Sequence, residues 1–313
     1  MAKPESLDGT RLPVIAAPMF LVSGPELVIA SCKAGVIGTF PALNQRTTEG
    51  FAQWCDDIAG AIDGAPYGVN LIAHRSNPRL EADLAVCVEK KVPLIITSLG
   101  AVSELVDTVH SYGGVVFHDV TNARHARKAQ AAGVDGLILV AGGAGGHAGT
   151  TNPFALISEI RSFFDGTIIL AGCMSTGADA AAAIAMGADF AYMGTRFIAT
   201  QESAAQAEYK EMLREVGPAE IVYTPAVSGV PANFMEPSLR DNGFDMEKLR
   251  DSAHVDFGKK LTVSDEAKAW KTVWSAGQGV AAIDDCPTVA ELVDRLEAEY
   301  RDASARLSAT LGG

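Results

Sequence analysis

The sequence lacks any long apolar run. No segment of its 313 residues approaches the roughly 20 consecutive apolar residues that cross a bilayer. The first 14 residues, MAKPESLDGTRLPV, also lack the apolar centre of a secretory signal. We therefore expect a cytoplasmic protein that has no membrane partner.

Paired cysteines and metal-binding patterns are missing as well. The five cysteines are odd in number and none shows C-x-x-C spacing, which indicates reduced thiols rather than a disulfide framework. Neither an H-E-x-x-H pattern nor a phosphate-loop lysine pattern occurs. We therefore expect no metal site.

Positive charge is scarce. The chain has 25 Lys and Arg against 38 Asp and Glu, so its net charge is -13. Such a surface repels phosphate backbones, which disfavours nucleic acid as a partner. The 48% hydrophobic content suffices for a large core, and we expect the partner to be a small-molecule substrate.

Eight short apolar runs are present, and each is followed by a segment with helical periodicity. They start 21 to 32 residues apart, the length of one strand–helix unit. Continuous apolar runs are typical of parallel strands that are buried on both faces. The runs cover 13–19, 35–40, 67–72, 93–98, 115–120, 136–141, 167–172 and 190–195.

Eight such units predict an α/β fold, a (β/α)8 TIM barrel; a doubly wound sheet is the alternative. Residues 217–275 interrupt the rhythm, being first rich in Pro, Gly and Asn and then polar with helical character. We interpret them as a small helical cap inserted after strand eight, so that the barrel comprises 1–216 and 276–313. The amphipathic C-terminal segment is expected to pack on the barrel or on the partner subunit of a homodimer.

Active sites in such barrels lie at the C-terminal ends of the strands. After strand seven the chain reads Ala171-Gly172-Cys173, and after strand eight it reads Gly194-Thr195-Arg196. Glycines there would let backbone N–H groups approach a phosphate, and Thr195 would cap the helix that follows. The alternative is that both glycines only form tight turns. Arg196 is expected to pair with a carboxylate at the barrel rim.

Strand six runs into the segment AGGAGGHAG, in which glycines and alanines surround His147. The glycines would leave space for a flat ligand, and the lone imidazole would exchange a proton near it. A flexible loop whose histidine bonds to a neighbour would have the same composition. Composition does not separate these two interpretations.

Several motifs together resemble one family. They are APM after strand one, YGVNL, AGGAGGHAG, LAG followed by GADAAAAIAMGAD, MGTRF and the late WSAGQG. This set is similar to the nitronate monooxygenases, whose relatives include FMN-dependent NAD(P)H:quinone reductases and enoyl-ACP reductases. The resemblance implies an FMN-binding barrel in which His147 is the catalytic residue. The cofactor-binding residues that it implies are Pro18, Met19, Asn70, Ala144, Gly145, Ala171, Gly172, Cys173, Gly194, Thr195 and Gln278.

The chain departs from the family pattern at three places. Gly172-Cys173 replaces a glycine pair, which keeps the backbone N–H group. Asp119 stands where some quinone-reducing relatives have a basic residue, and an ionised acid there would disfavour anionic reduced flavin. The strand-one loop reads AAPMFLVS, where relatives carry a glutamine and glycines.

Oxidation of alkyl nitronates by O2 to carbonyl compounds and nitrite is the first functional hypothesis. The alternatives are reduction of a quinone with NAD(P)H as co-substrate, reduction of an enoyl thioester, and a non-enzymatic interaction module that binds flavin or is an apo barrel.

Overall fold

Short strands and helices alternate along most of the chain. The computed structural model describes residues 4–74, 76–100, 102–250 and 271–310. Its strands are β1 Val14–Ala16, β2 Ile37–Pro41, β3 Tyr67–Ile72, β4 Leu94–Ser98, β5 Val115–Val120, β6 Gly136–Val140, β7 Gly146–His147, β8 Thr167–Ala171, β9 Phe190–Met193, β10 Ile221–Thr224 and β11 Ala232–Met235. Its helices are α1 Pro25–Ala34, α2 Thr48–Ala61, α3 Leu80–Glu89, α4 Ser103–His110, α5 Ala123–Ala131, α6 Pro153–Arg161, α7 Gly177–Ala185, α8 Thr195–Ile198, α9 Ala207–Glu215, α10 Glu236–Asp241, α11 Met246–Arg250 and α12 Val289–Thr310.

Eight parallel strands close into a barrel in the order β1-β2-β3-β4-β5-β6-β8-β9. The closure is made where β1 pairs with β9, with Ile15 opposite Tyr192. Each of the eight predicted apolar runs overlaps one barrel strand. The predicted (β/α)8 barrel is therefore confirmed, and the doubly wound sheet is excluded.

Alternation along each strand divides the side chains between two cores. One face points to the helices, and the other fills the barrel with residues such as Ile15, Leu94, Phe117 and Phe190. On β5 the interior positions are 115, 117 and 119, so the apolar interior gives way to Asp119 at the C-terminal end of that strand. The fold thereby exposes polar groups at one end of an apolar barrel.

A second, three-stranded sheet has the order β10-β11-β7. It contains the hairpin of β10 and β11, from the segment predicted as a helical cap, and it adds the two-residue strand β7 from the glycine loop. The predicted helical cap is therefore only partly helical, because the hairpin comes first and α10 and α11 follow it. Residues 251–270, where the sequence predicts further helix, lie outside the described residues.

Helix α12 packs against α7 and α1 and occupies the position of the eighth barrel helix, because α8 has only four residues. A Cβ atom at Gly177, the first residue of α7, would overlap the carbonyl of Leu296 in α12. Arg11 bonds to Asp294 (2.7 Å) and to Glu297 on the same helix. Of the two placements expected for this segment, the structure shows packing on the barrel. No helix within the described ranges is both long and apolar enough to cross a bilayer.

Candidate functional site

A cavity of about 1760 Å³ opens at the C-terminal ends of the barrel strands. This is the end where barrels of this type carry their active sites. Its walls combine residues from the strand ends, the glycine loop, the second sheet and the late segment around Trp274. Of the predicted site residues, those lining it are Pro18, Met19, Asn70, Ala144, Gly145, His147, Ala171, Gly172, Cys173, Gly194 and Thr195.

Three polar side chains on neighbouring strands form a hydrogen-bond chain that lines the cavity. The Asn70 side-chain amide on β3 donates to Ser98 Oγ on β4 (2.8 Å). The Ser98 hydroxyl donates in turn to Asp119 Oδ2 on β5 (2.5 Å). The other oxygen of the carboxyl, Oδ1, is enclosed and has no hydrogen-bond partner within the described part of the chain.

Burial acts on the ionisable groups of this chain. It raises the pKa of Asp119 to about 6, although the hydrogen bond from Ser98 opposes the rise. The pKa of Tyr192, on β9, is raised well above its ordinary value, first by burial and then by the charge of Asp119. Asp119 is therefore the acidic group in this wall that titrates close to neutral pH.

His118 precedes Asp119 but points toward the helix side of the sheet. Its Nδ1 shares a hydrogen bond of 2.7 Å with Thr97 Oγ1, and its side chain is buried. Burial lowers its pKa to about 4. At neutral pH His118 is consequently an uncharged neighbour of Asp119.

His147 lies in β7, where it pairs with Ala232 of β11 and lines the cavity. Its Nε2 is 3.4 Å from Ser228 Oγ, in the turn between β10 and β11. Of the two interpretations that the sequence left open, the second expected a contact with a neighbour, which is present; the backbone of His147 is in addition paired in a sheet. The geometry leaves a half-buried imidazole at the cavity wall.

The glycine loop is also held by side chains of the hairpin. Asn233 donates from its side-chain amide to the Ala144 carbonyl (2.6 Å), and Tyr223 donates from its hydroxyl to the Ala148 carbonyl (3.0 Å). A Cβ atom at Gly145 would stand 2.9 Å from the Gly277 nitrogen. The sequence interpretation, in which these glycines only cleared space for a ligand, is incomplete because they also let two backbone segments pack together.

The residues after β8 and β9 form the predicted phosphate region. Gly172 and Cys173 both have left-handed backbone conformations, with φ of 124° and 60°. The N-cap of α8 is Gly194, so the predicted capping role of Thr195 is wrong. The Oγ1 atom of Thr195 instead accepts a hydrogen bond from the Gly277 N–H (2.9 Å). Burial raises the pKa of the Cys173 thiol, which disfavours the thiolate that a nucleophile requires.

Gln278 lies beside this region. Its Oε1 is 3.9 Å from Cys173 Sγ, and its backbone N–H donates to the Gly143 carbonyl (2.8 Å). The flanking residues Gly277 and Gly279 line the cavity, whereas the Gln278 side chain does not. Arg196 pairs with Asp285 (2.8 Å), which confirms the predicted pairing with a carboxylate.

These residues fit a flat cofactor that carries a phosphate. The turn at Gly172 and Cys173 lines the cavity, and such a turn can direct backbone N–H groups toward an anion. Within the described ranges, no cluster of three His, Cys, Asp or Glu residues is arranged to hold a metal ion.

Three known proteins are similar to this chain. A dehydrogenase of Rhodococcus jostii, named for a 5-hydroxy-7a-methyl-1-oxo-octahydro-indene carboxyl-CoA, is 29% identical to this chain. The match covers 74% of this chain and 65% of the dehydrogenase, so this chain spans slightly under two thirds of that relative's length. A nitronate monooxygenase of Paraburkholderia phytofirmans is 28% identical over 96% of this chain and 95% of its own. The solved structure of a nitroalkane oxidase from Streptomyces ansochromogenes superposes with a TM-score of 0.81 at 27% identity, covering 96% of this chain and 99% of that one.

The sequence profile of the nitronate monooxygenases matches residues 5–299, nearly the whole chain. The chain therefore belongs to the nitronate monooxygenase family and is a flavin-dependent oxidoreductase.

Proposed function

We propose that the protein is an FMN-dependent enzyme that oxidises alkyl nitronates with O2 to carbonyl compounds and nitrite. The observation that carries this proposal is the position of His147. Its imidazole lines the same cavity as the polar strand ends of β3 to β5 and the backbone segments after β8 and β9. A ligand between these walls would meet a proton-exchanging group on one side.

The backbone amides of Gly172, Cys173, Gly194 and Thr195 would hold the FMN phosphate. Pro18, Met19, Asn70, Ala144 and Gly145 would contact its ring. Bound FMN would supply the electron-transfer chemistry, while the protein supplies placement and charge. Backbone amides suffice for the phosphate because the N–H groups of successive residues in a turn can point together into one concave anion site.

His147 would bind the anionic nitronate or remove the α-proton of a neutral nitroalkane. Pairing of β7 with β11 fixes the backbone of His147, and Ser228 Oγ lies within reach of its Nε2. A fixed imidazole serves either role better than a mobile one, because proton transfer requires hydrogen-bond geometry with the substrate.

Two features favour a bulkier substrate as a second candidate. The cavity exceeds the roughly 300–1000 Å³ that ligand pockets usually occupy, so space remains beside a flavin. The cations Arg46 and Lys128 line it, although the chain is acidic overall. Because a relative acts on a carboxyl-CoA substrate, an acyl thioester is the alternative to a nitronate.

An anaerobic titration of the purified yellow protein tests the proposal. An alkyl nitronate is added first, then NADH or NADPH to a second sample, and the flavin absorbance is followed. Reduction by the nitronate without NAD(P)H, with oxygen uptake and nitrite release in air, is the expected result.

Three results would contradict the nitronate assignment. Bleaching by NAD(P)H alone, recovered on adding a quinone, would identify a quinone reductase. Recovery only with an enoyl thioester would identify a thioester reductase. A protein that stays colourless and inactive after FMN is added would be a non-enzymatic module.

A further inference from the structure

Tyr192 lies near the end of β9 and forms part of the cavity floor, the layer of interior side chains at the C-terminal ends of the strands. Its side chain packs in the barrel interior with Ile15 and Ala171, and it also lines the cavity. Only 9% of the residue is exposed. The surface that it retains therefore faces the cavity.

The hydroxyl of Tyr192 has no hydrogen-bond partner within the described part of the chain. Asp119 Oδ1 is enclosed by protein atoms, whereas the Tyr192 hydroxyl keeps accessible surface at the cavity. A phenol carries one O–H donor, and an unpaired donor that a ligand covers costs the free energy of its lost hydration. A ligand that covers this part of the floor must therefore present an acceptor to the hydroxyl.

The adjoining strands offer this hydroxyl no polar side chain in register. Tyr192 is paired with Ala171 on β8 and with Ile15 on β1, and both are apolar. Burial and then the charge of Asp119 raise the pKa of Tyr192 well above its ordinary value, so the hydroxyl keeps its proton near neutral pH. Tyr192 is consequently a hydrogen-bond donor whose acceptor has to come from the cavity.

Tyr192 also lies between the residues that would hold the two ends of FMN. Gly194, two residues further along the chain, and Gly172, which follows the register partner Ala171, belong to the proposed phosphate site. Met19, which would contact the ring, follows β1, the strand paired with β9 on its other side. A ligand that extends from the phosphate site toward Met19 therefore crosses the floor at Tyr192. Ala171 and Gly194 line the cavity there and are too small to cover the phenol.

We propose that Tyr192 binds the flavin from the cavity floor, its hydroxyl donating a hydrogen bond to an acceptor atom in the riboflavin portion of FMN. This inference rests on the proposed binding of FMN in the cavity. The riboflavin portion offers acceptors in its ribityl hydroxyls and in the carbonyl oxygens and nitrogens of its ring. Tyr192 thus makes in the complex a hydrogen bond that the described residues alone leave unmade.

The experiment measures the affinity of the apoprotein for FMN and for riboflavin, which lacks the phosphate. Quenching of flavin fluorescence gives the dissociation constants for the wild type and for Tyr192→Phe. Phenylalanine keeps the aromatic ring in the barrel interior and removes only the hydroxyl. We expect both dissociation constants to rise by about 2- to 10-fold, the effect of one neutral hydrogen bond. The factor should be the same for the two flavins, because the contact does not involve the phosphate.

Tyr112→Phe is the matched control. The Tyr112 hydroxyl donates to the Val92 carbonyl (3.0 Å), and Tyr112 does not line the cavity. This substitution should lower the urea midpoint of the apoprotein and leave the affinity for both flavins unchanged. Tyr192→Phe should do the reverse, because its hydroxyl has no partner to lose among the described residues.

Three results would overturn the inference while leaving the FMN assignment intact. Weaker binding of FMN alone would place the hydroxyl on the phosphate. Unchanged affinity for both flavins would remove the contact with the cofactor, and a raised KM for the nitronate would then place the hydroxyl on the substrate. A urea midpoint lowered as much as in Tyr112→Phe would reveal a structural partner instead. Failure of the wild type to bind FMN would overturn the cofactor assignment and the inference with it.

Discussion

The side-chain amide of Asn233, on the hairpin strand β11, donates to the carbonyl of Ala144 at 2.6 Å, across 89 residues of sequence. Both residues are buried. This bond connects the loop that carries His147 to the hairpin of the second sheet. The backbone position of the imidazole thus depends on residues far away in the sequence.

Asn233→Ala should loosen the glycine loop. The substitution leaves the buried Ala144 carbonyl without its donor, which costs about 1–3 kcal/mol. Hydrogen exchange at residues 142–149 should quicken, and FMN should bind more weakly. Asn242→Ala is the matched control, because that amide bonds to the carbonyls of Ser238 and Thr272. Equal exchange in the loop of both variants would contradict the role of Asn233.

His147→Gln should retain FMN but lose turnover by a factor of about 10²–10⁴, the usual contribution of a positioned acid or base. Steady-state kinetics with a nitroalkane and with its nitronate measure the loss; a larger effect on the neutral nitroalkane would assign His147 as the base. His110→Gln is the control, since that imidazole bonds to Asp135 (2.9 Å) and does not line the cavity. Unchanged turnover in His147→Gln would remove the assigned role.

Asp119 and His118 should give the apoprotein opposite pH dependences of stability. The pKa of Asp119 is raised on folding, so its ionisation destabilises the fold as pH rises from about 4 to 6, by about 2 to 3 kcal/mol. The pKa of His118 is lowered, so stability is lost as pH falls from about 6.5 to 4. Urea unfolding should show Asp119→Asn gaining stability over the wild type above pH 6, and His118→Asn gaining it below pH 6. Parallel curves for all three proteins would contradict both shifts.

Gly177→Ala should destabilise the barrel by more than about 2 kcal/mol, because its methyl group would overlap backbone atoms of α12. Gly60→Ala is the control within another helix, where a Cβ atom would meet no atom within 4 Å. That variant should gain up to about 1 kcal/mol from helix propensity alone. Thermal unfolding compares them; two variants of equal stability would refute the close packing.

Asp285→Ala should cost at least about 2 kcal/mol, because it leaves the buried Arg196 guanidinium without its carboxylate. Two other nitrogens of Arg196 are already enclosed without partners in the described structure. Glu211→Gln breaks a solvent-exposed pair with Arg214 and should cost under about 1 kcal/mol. Denaturant midpoints that shift equally would contradict the difference in burial.

The barrel could be predicted because each strand is a local apolar run, and strand ends determine which residues meet at one rim. His147 and Gly172 were placed together by that rule, Asn70 was implied by the family resemblance, and the structure brings all three to one cavity. Strand β7 could not be predicted, since two residues carry no periodicity and β7 exists only through pairing with β11. The same holds for Asn233, Tyr223 and Ser228, whose contacts cross about 80 residues of sequence. Ser98 was visible as a strand end, but its bonds to Asn70 and Asp119 depend on the strand register.

Helix α12 takes the eighth helical position, yet the hairpin and the residues around Trp274 separate it from β9 in sequence. On the ribosome, all eight barrel strands therefore emerge before the helix that packs between α7 and α1. Until α12 is synthesised, the groove beside the β1–β9 closure exposes apolar surface. The faces of α7 and α1 that α12 covers are consequently buried later in synthesis than the rest of the barrel surface.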